Sequence, residues 1–139
     1  MIQAIIEGIS NALFTEFGFE NHMEQIKQGL EGPCFFIQCI NPSFKRFPGN
    51  RYFQQSQFAV QYFPESEYGA NAECYAVADR MCLCLELIQA GGEPIRGTKM
   101  NYKVADGVLN FFINYDCFLY RREEQEAMGS MKAGIHAKG

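Results

Sequence analysis

Residues 98–115 read TKMNYKVADGVLNFFINY, and the Asp106-Gly107 pair at their centre decides the fold. An Asp-Gly pair between two runs of alternating hydrophobicity is typical of a two-residue type I′ hairpin turn. With that turn, residues whose numbers add to 213 lie opposite each other, which collects the apolar side chains on one face. The second strand is expected to continue to about residue 120. The predicted pairs are Val104 with Leu109, Tyr102 with Phe111, Met100 with Ile113, and Thr98 with Tyr115.

Two segments that precede this hairpin repeat apolar residues at helical spacing. The first predicts an amphipathic helix of about four turns that ends at Gly18. The second predicts a helix with Asn71 as its N-cap and with Gly91-Gly92 at its end. The first apolar stripe consists of Ile2, Ile5, Ile6, Ile9 and Leu13. The second consists of Cys74, Ala78, Met81, Cys82, Leu85 and Ile88.

The chain between these helices predicts the remaining strands. A short extended piece is expected at residues 19–24. Residues 34–40 are apolar on both faces, which is typical of a central strand. Residues 52–63 alternate until Pro64 stops the strand. The segment 41–51 contains two prolines and a Pro-Gly pair, so it predicts a long loop.

The resulting order of helices and strands predicts an α+β fold. Two helices pack on one predominantly antiparallel sheet as a two-layer sandwich with a C-terminal β-hairpin. Residues 1–120 are expected to form a single domain, because the chain has 139 residues and 47% of them are hydrophobic. Residues 121–139 lose the alternation and predict a charged C-terminal tail that is flexible or orders on assembly. A brief helix is expected at residues 123–128.

The charge pattern separates the helices from the strands. The formal net charge is −4, which argues against nucleic-acid binding as the main function. Residues 32–60 and 96–122 each carry a net charge of +3, whereas the segments that contain the helices are acidic. An acidic helix layer and a more basic sheet side are therefore expected. The N-terminus lacks a secretory leader, so we expect synthesis in the host cytoplasm.

Cys34, which follows Gly32 and Pro33, is the candidate nucleophile that the sequence raises. A catalytic thiol needs a base within reach, and neither His22 nor His136 is placed for that role. Apolar neighbours raise the pKa of a thiol, so Cys34 is interpreted as a packing residue. The six cysteines show no metal-ligand spacing and are expected to be reduced. No catalytic residue, metal site or cofactor is predicted.

The predicted loop at 41–51 holds the candidate interface residues. Lys45, Arg46 and Arg51, with Phe47 among them, are expected to contact another protein. The alternative is a stacking platform for single-stranded nucleic acid, since aromatic residues are interleaved with the bases. Three bases on an acidic chain make the protein-contacting interpretation the favoured one.

Short motifs in the order expected for one protein family run across residues 1 to about 120. These stretches are Gln28-Gly29-Leu30, Pro33-Cys34-Phe35-Phe36-Ile37, Asn50-Arg51-Tyr52, Tyr62-Phe63-Pro64, Leu85-Glu86, Gly97-Thr98-Lys99-Met100, Asp106-Gly107-Val108-Leu109 and Asn114-Tyr115. On these motifs the chain resembles the tail terminator, or tail completion, proteins of phages, prophages and phage-tail-like particles. Asn110 and residues 123–139 depart from the family pattern.

The resemblance implies a structural virion protein, not an enzyme. Such proteins cap the tail tube as a ring, commonly of six copies, stop tail polymerisation and present the surface that joins the head or neck. The implied partners are further copies of the chain, the tail tube protein, the sheath where one exists, and connector or neck proteins. No membrane partner is implied, and nucleic acid is implied only as DNA that passes through the ring. The location is the virion tail or neck, after the host cytoplasm.

Two other functional classes remain open at this point. A head–tail connector or neck adaptor of the same assembly shares small size and ring symmetry. A small enzyme or nucleic-acid module would need a poised cysteine or a larger basic face.

Overall fold

The computed structural model describes residues 1–23, 32–65, 68–123 and 133–138, with side chains up to residue 120. These residues form two helices and seven strands. The elements in chain order are α1 (Ile2–Phe17), β1 (Glu20–His22), β2 (Cys34–Phe47), β3 (Arg51–Phe63), α2 (Ala70–Cys84), β4 (Leu87–Ala90), β5 (Glu93–Ala105), β6 (Val108–Glu123) and β7 (Ala133–Lys138).

The strands form one sheet in the order β1-β2-β3-β6-β5-β4, and β7 also pairs with β6. The β1–β2 pair is parallel and all other pairs are antiparallel. The buried sides of both helices share one hydrophobic core with one face of the sheet. The predicted α+β sandwich of two helices on a predominantly antiparallel sheet is therefore confirmed.

Helix α1 follows its predicted pattern. Ile5, Ile9 and Leu13 are fully buried. The helix ends at Gly18, which adopts the left-handed conformation and donates its N–H to the Phe14 carbonyl at 2.8 Å. A missing Cβ at the C-terminal cap relieves the strain of that conformation, which is why glycine is a good stop signal.

The C-terminal hairpin is confirmed at its turn and corrected farther along. Asp106 and Gly107 both have positive φ, as a type I′ turn requires. The predicted register holds from Ala105–Val108 to Asn101–Phe112, including the Val104–Leu109 and Tyr102–Phe111 pairs. A bulge between Thr98 and Asn101 then shifts the strand by one residue.

The bulge overturns the last two predicted pairs, Met100 with Ile113 and Thr98 with Tyr115. Gly97, not Thr98, lies opposite Tyr115. A Cβ at Gly97 would lie 2.4 Å from Ile113 Cδ1 and 2.9 Å from the Leu85 carbonyl oxygen. Only a residue without a side chain fits there, and the bulge brings Gly97 to that position.

The second helix is shorter than its apolar stripe predicted. Helix α2 begins after Gly69, not after an Asn71 cap, and it ends at Cys84 with Leu85 as its C-cap. Residues 87–90 form a strand in which Ile88 and Ala90 are buried, whereas Leu87 and Gln89 are exposed. The Gly91-Gly92 pair forms the turn between β4 and β5 instead of ending the helix. Both glycines have positive φ, as tight turns require.

The predicted long loop at 41–51 is mostly strand. Strand β2 continues to Phe47 and β3 starts at Arg51, so only residues 48–50 form a turn. Pro42 is tolerated because β2 has a strand on only one side there, and a missing donor on the free side breaks no ladder bond. The sequence prediction failed because two prolines favour a loop over a central strand. Prolines are compatible with an edge strand, but the sequence does not show that this part of β2 lies at the edge of the sheet.

The predicted extended piece at 19–24 is present as β1 over residues 20–22, and residue 24 lies outside the described residues. Strand β6 runs to Glu123 and pairs with β7, a strand that the sequence analysis did not predict. The expected helix at 123–128 does not include Glu123, and residues 124–128 lie outside the described residues. The division into a domain and a tail stays a prediction.

Candidate assembly interface

The predicted interface residues lie on a β-hairpin that we call the arm. The arm comprises residues 41–47 of β2, the turn 48–50 and residues 51–57 of β3. Gly49 and Asn50 have positive φ, which closes the turn. Arg51 Nε donates a hydrogen bond to the Pro48 carbonyl at 3.2 Å and so fastens the turn to the start of β3.

The two faces of the arm carry different side chains. Tyr52 pairs with Leu119, which belongs to the core, so Tyr52 lies on the face that the helices cover farther along the sheet. We call this the inner face, and it also carries Phe44 and Arg46, since strand side chains alternate. The opposite or outer face carries Lys45, Phe47, Arg51 and Phe53, with Phe118 of β6 beside them.

An aromatic cluster stiffens the outer face of the arm. The ring centroids of Phe53 and Phe118 lie 4.8 Å apart, and that of Phe47 lies 5.6 Å from Phe118 in an edge-on contact. The Arg51 guanidinium carbon lies 5.8 Å from the centroid of Phe118, within the range of a cation–π contact. These half-buried rings lie beside the Arg51 guanidinium, which places a positive charge next to the aromatic cluster.

The structure brings together three of the four predicted interface residues. Lys45, Phe47 and Arg51 lie on the outer face, whereas Arg46 lies on the inner face opposite Tyr52. Phe53 and Phe118 complete the outer cluster. The sequence analysis missed Phe118, which is 67 positions downstream of Arg51. The sequence gives one indication of its role, namely that Phe118 is an aromatic residue on the face of the second hairpin strand that points away from the helices.

The outer face also carries a polar groove of about 340 Å³ next to the arm. Amide and hydroxyl side chains line it, together with Lys99 as its charged residue. Lys99 has positive φ at the β5 bulge, which directs this residue out of the regular strand alternation. The other lining residues are Asn41, Ser43, Gln55, Ser56, Gln57, Asn101 and Asn114.

The helix layer presents the opposite charge. Helix α1 carries the exposed acids Glu7 and Glu16 and no lysine or arginine. Helix α2 adds Glu73 and Asp79 against Arg80. Arg80 Nε pairs with Glu16 Oε1 at 2.9 Å and joins the two helices. The expected acidic helix layer is therefore separated from the three bases of the arm.

Cys34 lies where a packing residue is expected. Its side chain has 0% exposure, and burial, with a smaller effect from the Glu20 carboxylate, raises the pKa of its thiol. A raised pKa keeps the thiol protonated and unreactive at neutral pH. His22 lies on β1 and contacts Glu20 at 3.7 Å, and His136 lies on β7. Within the part of the chain that the structure describes, no cluster of His, Cys, Asp and Glu could hold a metal ion.

Comparison with known proteins decides the family. A family model described as phage tail terminator protein matches residues 4–127. The chain belongs to the phage tail terminator family. Membership gives this tail terminator protein a structural role in tail completion as a component of the virion, as the sequence resemblance predicted. The match covers both helices, the arm and the C-terminal hairpin.

The chain was also compared with functionally curated proteins and with solved structures. No functionally curated protein is significantly similar to this tail terminator protein. One solved structure aligns at 13% identity over 84% of this chain and 90% of the other chain, with a TM-score of 0.42. Among the described residues, no helix is long and apolar enough to cross a membrane.

Proposed function

We propose that this protein caps the phage tail tube as a homo-oligomeric ring, stops tube polymerisation and provides the surface that joins the head or neck. The observation that carries the proposal is the separation of a basic arm from an acidic helix layer in a member of the tail terminator family. Six copies is the ring size that we expect.

A ring of identical copies needs two different contact patches on each copy. Head-to-tail contacts close into a ring when the rotation per subunit allows it, and the same contacts otherwise give an open filament. The arm and the helix layer supply two such patches of opposite charge. Charge complementarity of this kind steers association and fixes orientation.

The arm is proposed to divide its contacts between its two faces. Lys45, Phe47 and Arg51 share the outer face, where they present two bases around a rigid aromatic cluster. Arg46 points to the other side. We propose that these residues contact the acidic surface of a neighbouring copy or of the tail tube.

Charge reversal on the arm tests this proposal. The R46E/R51E variant is expected to lower the association constant of ring or tube binding about tenfold or more, since interfacial charges of one sign would then face each other. Sedimentation velocity and electron microscopy measure assembly, and circular dichroism confirms that the monomer is folded.

Lys103→Glu is the matched control. Lys103 is an exposed base on β5 that pairs with Asn110 near the hairpin turn, away from the arm. This substitution makes the same change of charge as each of the two arginine substitutions, and it should leave assembly unaffected. Equal assembly of the wild type and the R46E/R51E variant would reject the arm as an interface.

Capping itself is tested with purified tail tube protein. The expected result is a ring at one end of each tube and a halt in tube elongation, both visible by electron microscopy. A ring that ignores tube ends and binds only a portal or connector assembly would replace this proposal with a connector function. A protein that stays monomeric at all concentrations and with tube protein present would contradict both.

A further inference from the structure

The inner face of the arm holds an aromatic pair, Phe44 and Tyr52, of which only Tyr52 packs against the hydrophobic core. Phe44 is 49% exposed although it is a large apolar side chain. Its ring stacks on Tyr52 with the centroids 4.8 Å apart and the planes inclined by 14°. Arg46 lies opposite Tyr52 on the same face, and none of the ion pairs formed by the described residues involves Arg46.

Such a pair is well suited to anchor a protein contact. An aromatic ring that is already held in place loses little conformational entropy on binding, and aromatic and arginine residues dominate binding energy at interfaces. Backbone pairing along the same strand is blocked. The free edge of β2 carries Pro42, a bulge between Cys39 and Asn41, and Lys45, all of which disfavour addition of a further strand.

The helix layer contains an apolar groove that could receive this anchor. The groove has a volume of about 340 Å³ and runs between α1, the end of α2 and β4. Gly8 and Ala12 of α1 line one wall, and Cys84, Leu87 and Ile88 line the other. Leu87 is 51% exposed, and Leu83, next to Cys84 in the last turn of α2, is 77% exposed.

The size and the charge of the groove match the arm. A cavity of about 150 Å³ is enough to hold a benzene ring, so this groove has room for one phenylalanine side chain. Glu16 lines the groove, and Glu7 lies one helical turn before Asn11, another lining residue. Glu7 is exposed and forms no ion pair among the described residues, so it is available to a cation.

We propose that Phe44 of one copy inserts into the groove between α1, α2 and β4 of the next copy, with Arg46 beside the Glu7 carboxylate. The inference rests on the proposed ring and names the contact that closes it. A second copy is the occupant that fits, because every copy carries both complementary surfaces. One surface is the exposed Phe44 with Arg46 beside it, and the other is the apolar groove with acidic residues beside it. Since the two halves are different surfaces, the contact is head-to-tail, as ring closure requires.

Photo-crosslinking of the assembled protein tests the contact directly. A benzophenone amino acid replaces Phe44, and the variant is mixed with isotope-labelled wild type so that crosslinks between copies are recognised by mass. The expected adducts join position 44 to peptides that contain residues 8–16 or 84–89 of another copy. The matched control places the same group at Tyr102, an aromatic residue of β5 that is 38% exposed and lies outside the arm, which should not label those peptides.

A charge swap gives an independent test. R46E and E7R should each weaken ring formation about tenfold, and the R46E/E7R double variant should recover most of the loss, since the pair is then restored with reversed signs. Phe44→Ala should weaken the ring and leave the monomer folded, because Phe44 is half exposed and loses only its stacking on Tyr52.

The outcomes separate this contact from the proposed function. A ring that forms without adducts to the groove peptides overturns the contact and leaves the ring proposal intact. Adducts to tail tube protein in place of a second copy assign the inner face to the tube and also overturn it. If no ring forms under any condition, the proposed function fails, and this contact fails with it.

Discussion

Gly8 shows how one missing side chain controls the packing of α1 against β4. A Cβ at this position would lie 2.3 Å from the Gln89 carbonyl oxygen and 3.2 Å from Ile88 Cδ1. The backbone of β4 therefore approaches the helix more closely than any residue with a side chain allows. Helix propensity alone would favour alanine here by about 1 kcal/mol, so packing and propensity make opposite predictions.

Gly8→Ala is expected to destabilise the protein by about 1–3 kcal/mol, because overpacking at a backbone contact outweighs the gain in helix propensity. Urea unfolding followed by circular dichroism measures the change. Asn11→Ala is the control, since Asn11 is exposed in the middle of the same helix and should gain a few tenths of a kcal/mol. A Gly8→Ala variant as stable as the wild type would contradict the close approach.

Single residues also mark the limit of sequence-based register prediction. The Asp106-Gly107 turn could be predicted because the turn type follows from two adjacent residues. The bulge at 98–101 could not, because it depends on how Ile113 and Leu85 fill the space around Gly97. That space is created by α2 and β6, which are distant in sequence.

At the level of elements, a hydrogen bond joins α2 to the sheet. Tyr62 of β3 donates its hydroxyl to Glu73 Oε2 of α2 at 2.5 Å. The Tyr62 side chain is 1% exposed, so a lost partner would leave a buried polar group without a hydrogen bond. Burial, followed by the hydrogen bond to Glu73, raises the pKa of Tyr62 well above its ordinary value.

Tyr62→Phe is expected to lower the free energy of unfolding by about 1–2 kcal/mol at neutral pH, because it removes the donor to Glu73. The pH dependence has a definite sign. A tyrosine whose pKa is raised by folding stabilises the native state fully below about pH 10, and this stability is lost as the pH rises above it. Urea titrations from neutral to alkaline pH should therefore show a smaller loss of stability in the variant. An equal loss in both proteins would contradict this coupling.

The elements were predicted unevenly from the sequence. Helix α1 and strand β3 follow clear periodicities, and both are found close to their predicted positions. Strand β4 was assigned to α2, because Leu85 and Ile88 continue the helical spacing and because two residues cannot distinguish a helix from a strand. Residues 41–51 of the arm were predicted as a loop, because their prolines are compatible with a strand only at a sheet edge, which the sequence does not reveal.

At the level of the whole molecule, the charges of the arm and the helix layer should make assembly sensitive to salt. The screening length falls from about 10 Å at 0.1 M salt to about 3 Å at 1 M. We expect the association constant of the wild type to fall with added salt and that of the R46E/R51E variant to change less. Analytical ultracentrifugation across a salt series measures both, and a Phe44→Ala variant that keeps the wild-type salt dependence is the control. Assembly that is indifferent to salt would contradict an electrostatic interface.

The candidate interface could be located from the sequence, but its two-sided geometry could not. The bases and aromatics of 41–51 predict a protein-contacting segment by composition alone. That Arg46 faces away from Lys45, Phe47 and Arg51 depends on the strand continuing through the segment. The bulge between Cys39 and Asn41 then decides which face each side chain joins.

The unpaired side of β2 has a consequence for how copies of this tail terminator protein associate. A long bare strand offers a template on which further chains can stack into fibres. The proline, the bulge and the positive charges along β2 prevent a further strand from pairing with this edge. Copies that associate through side-chain surfaces do not extend a β-sheet, so the β2 edge of this tail terminator protein does not become the seed of a fibre.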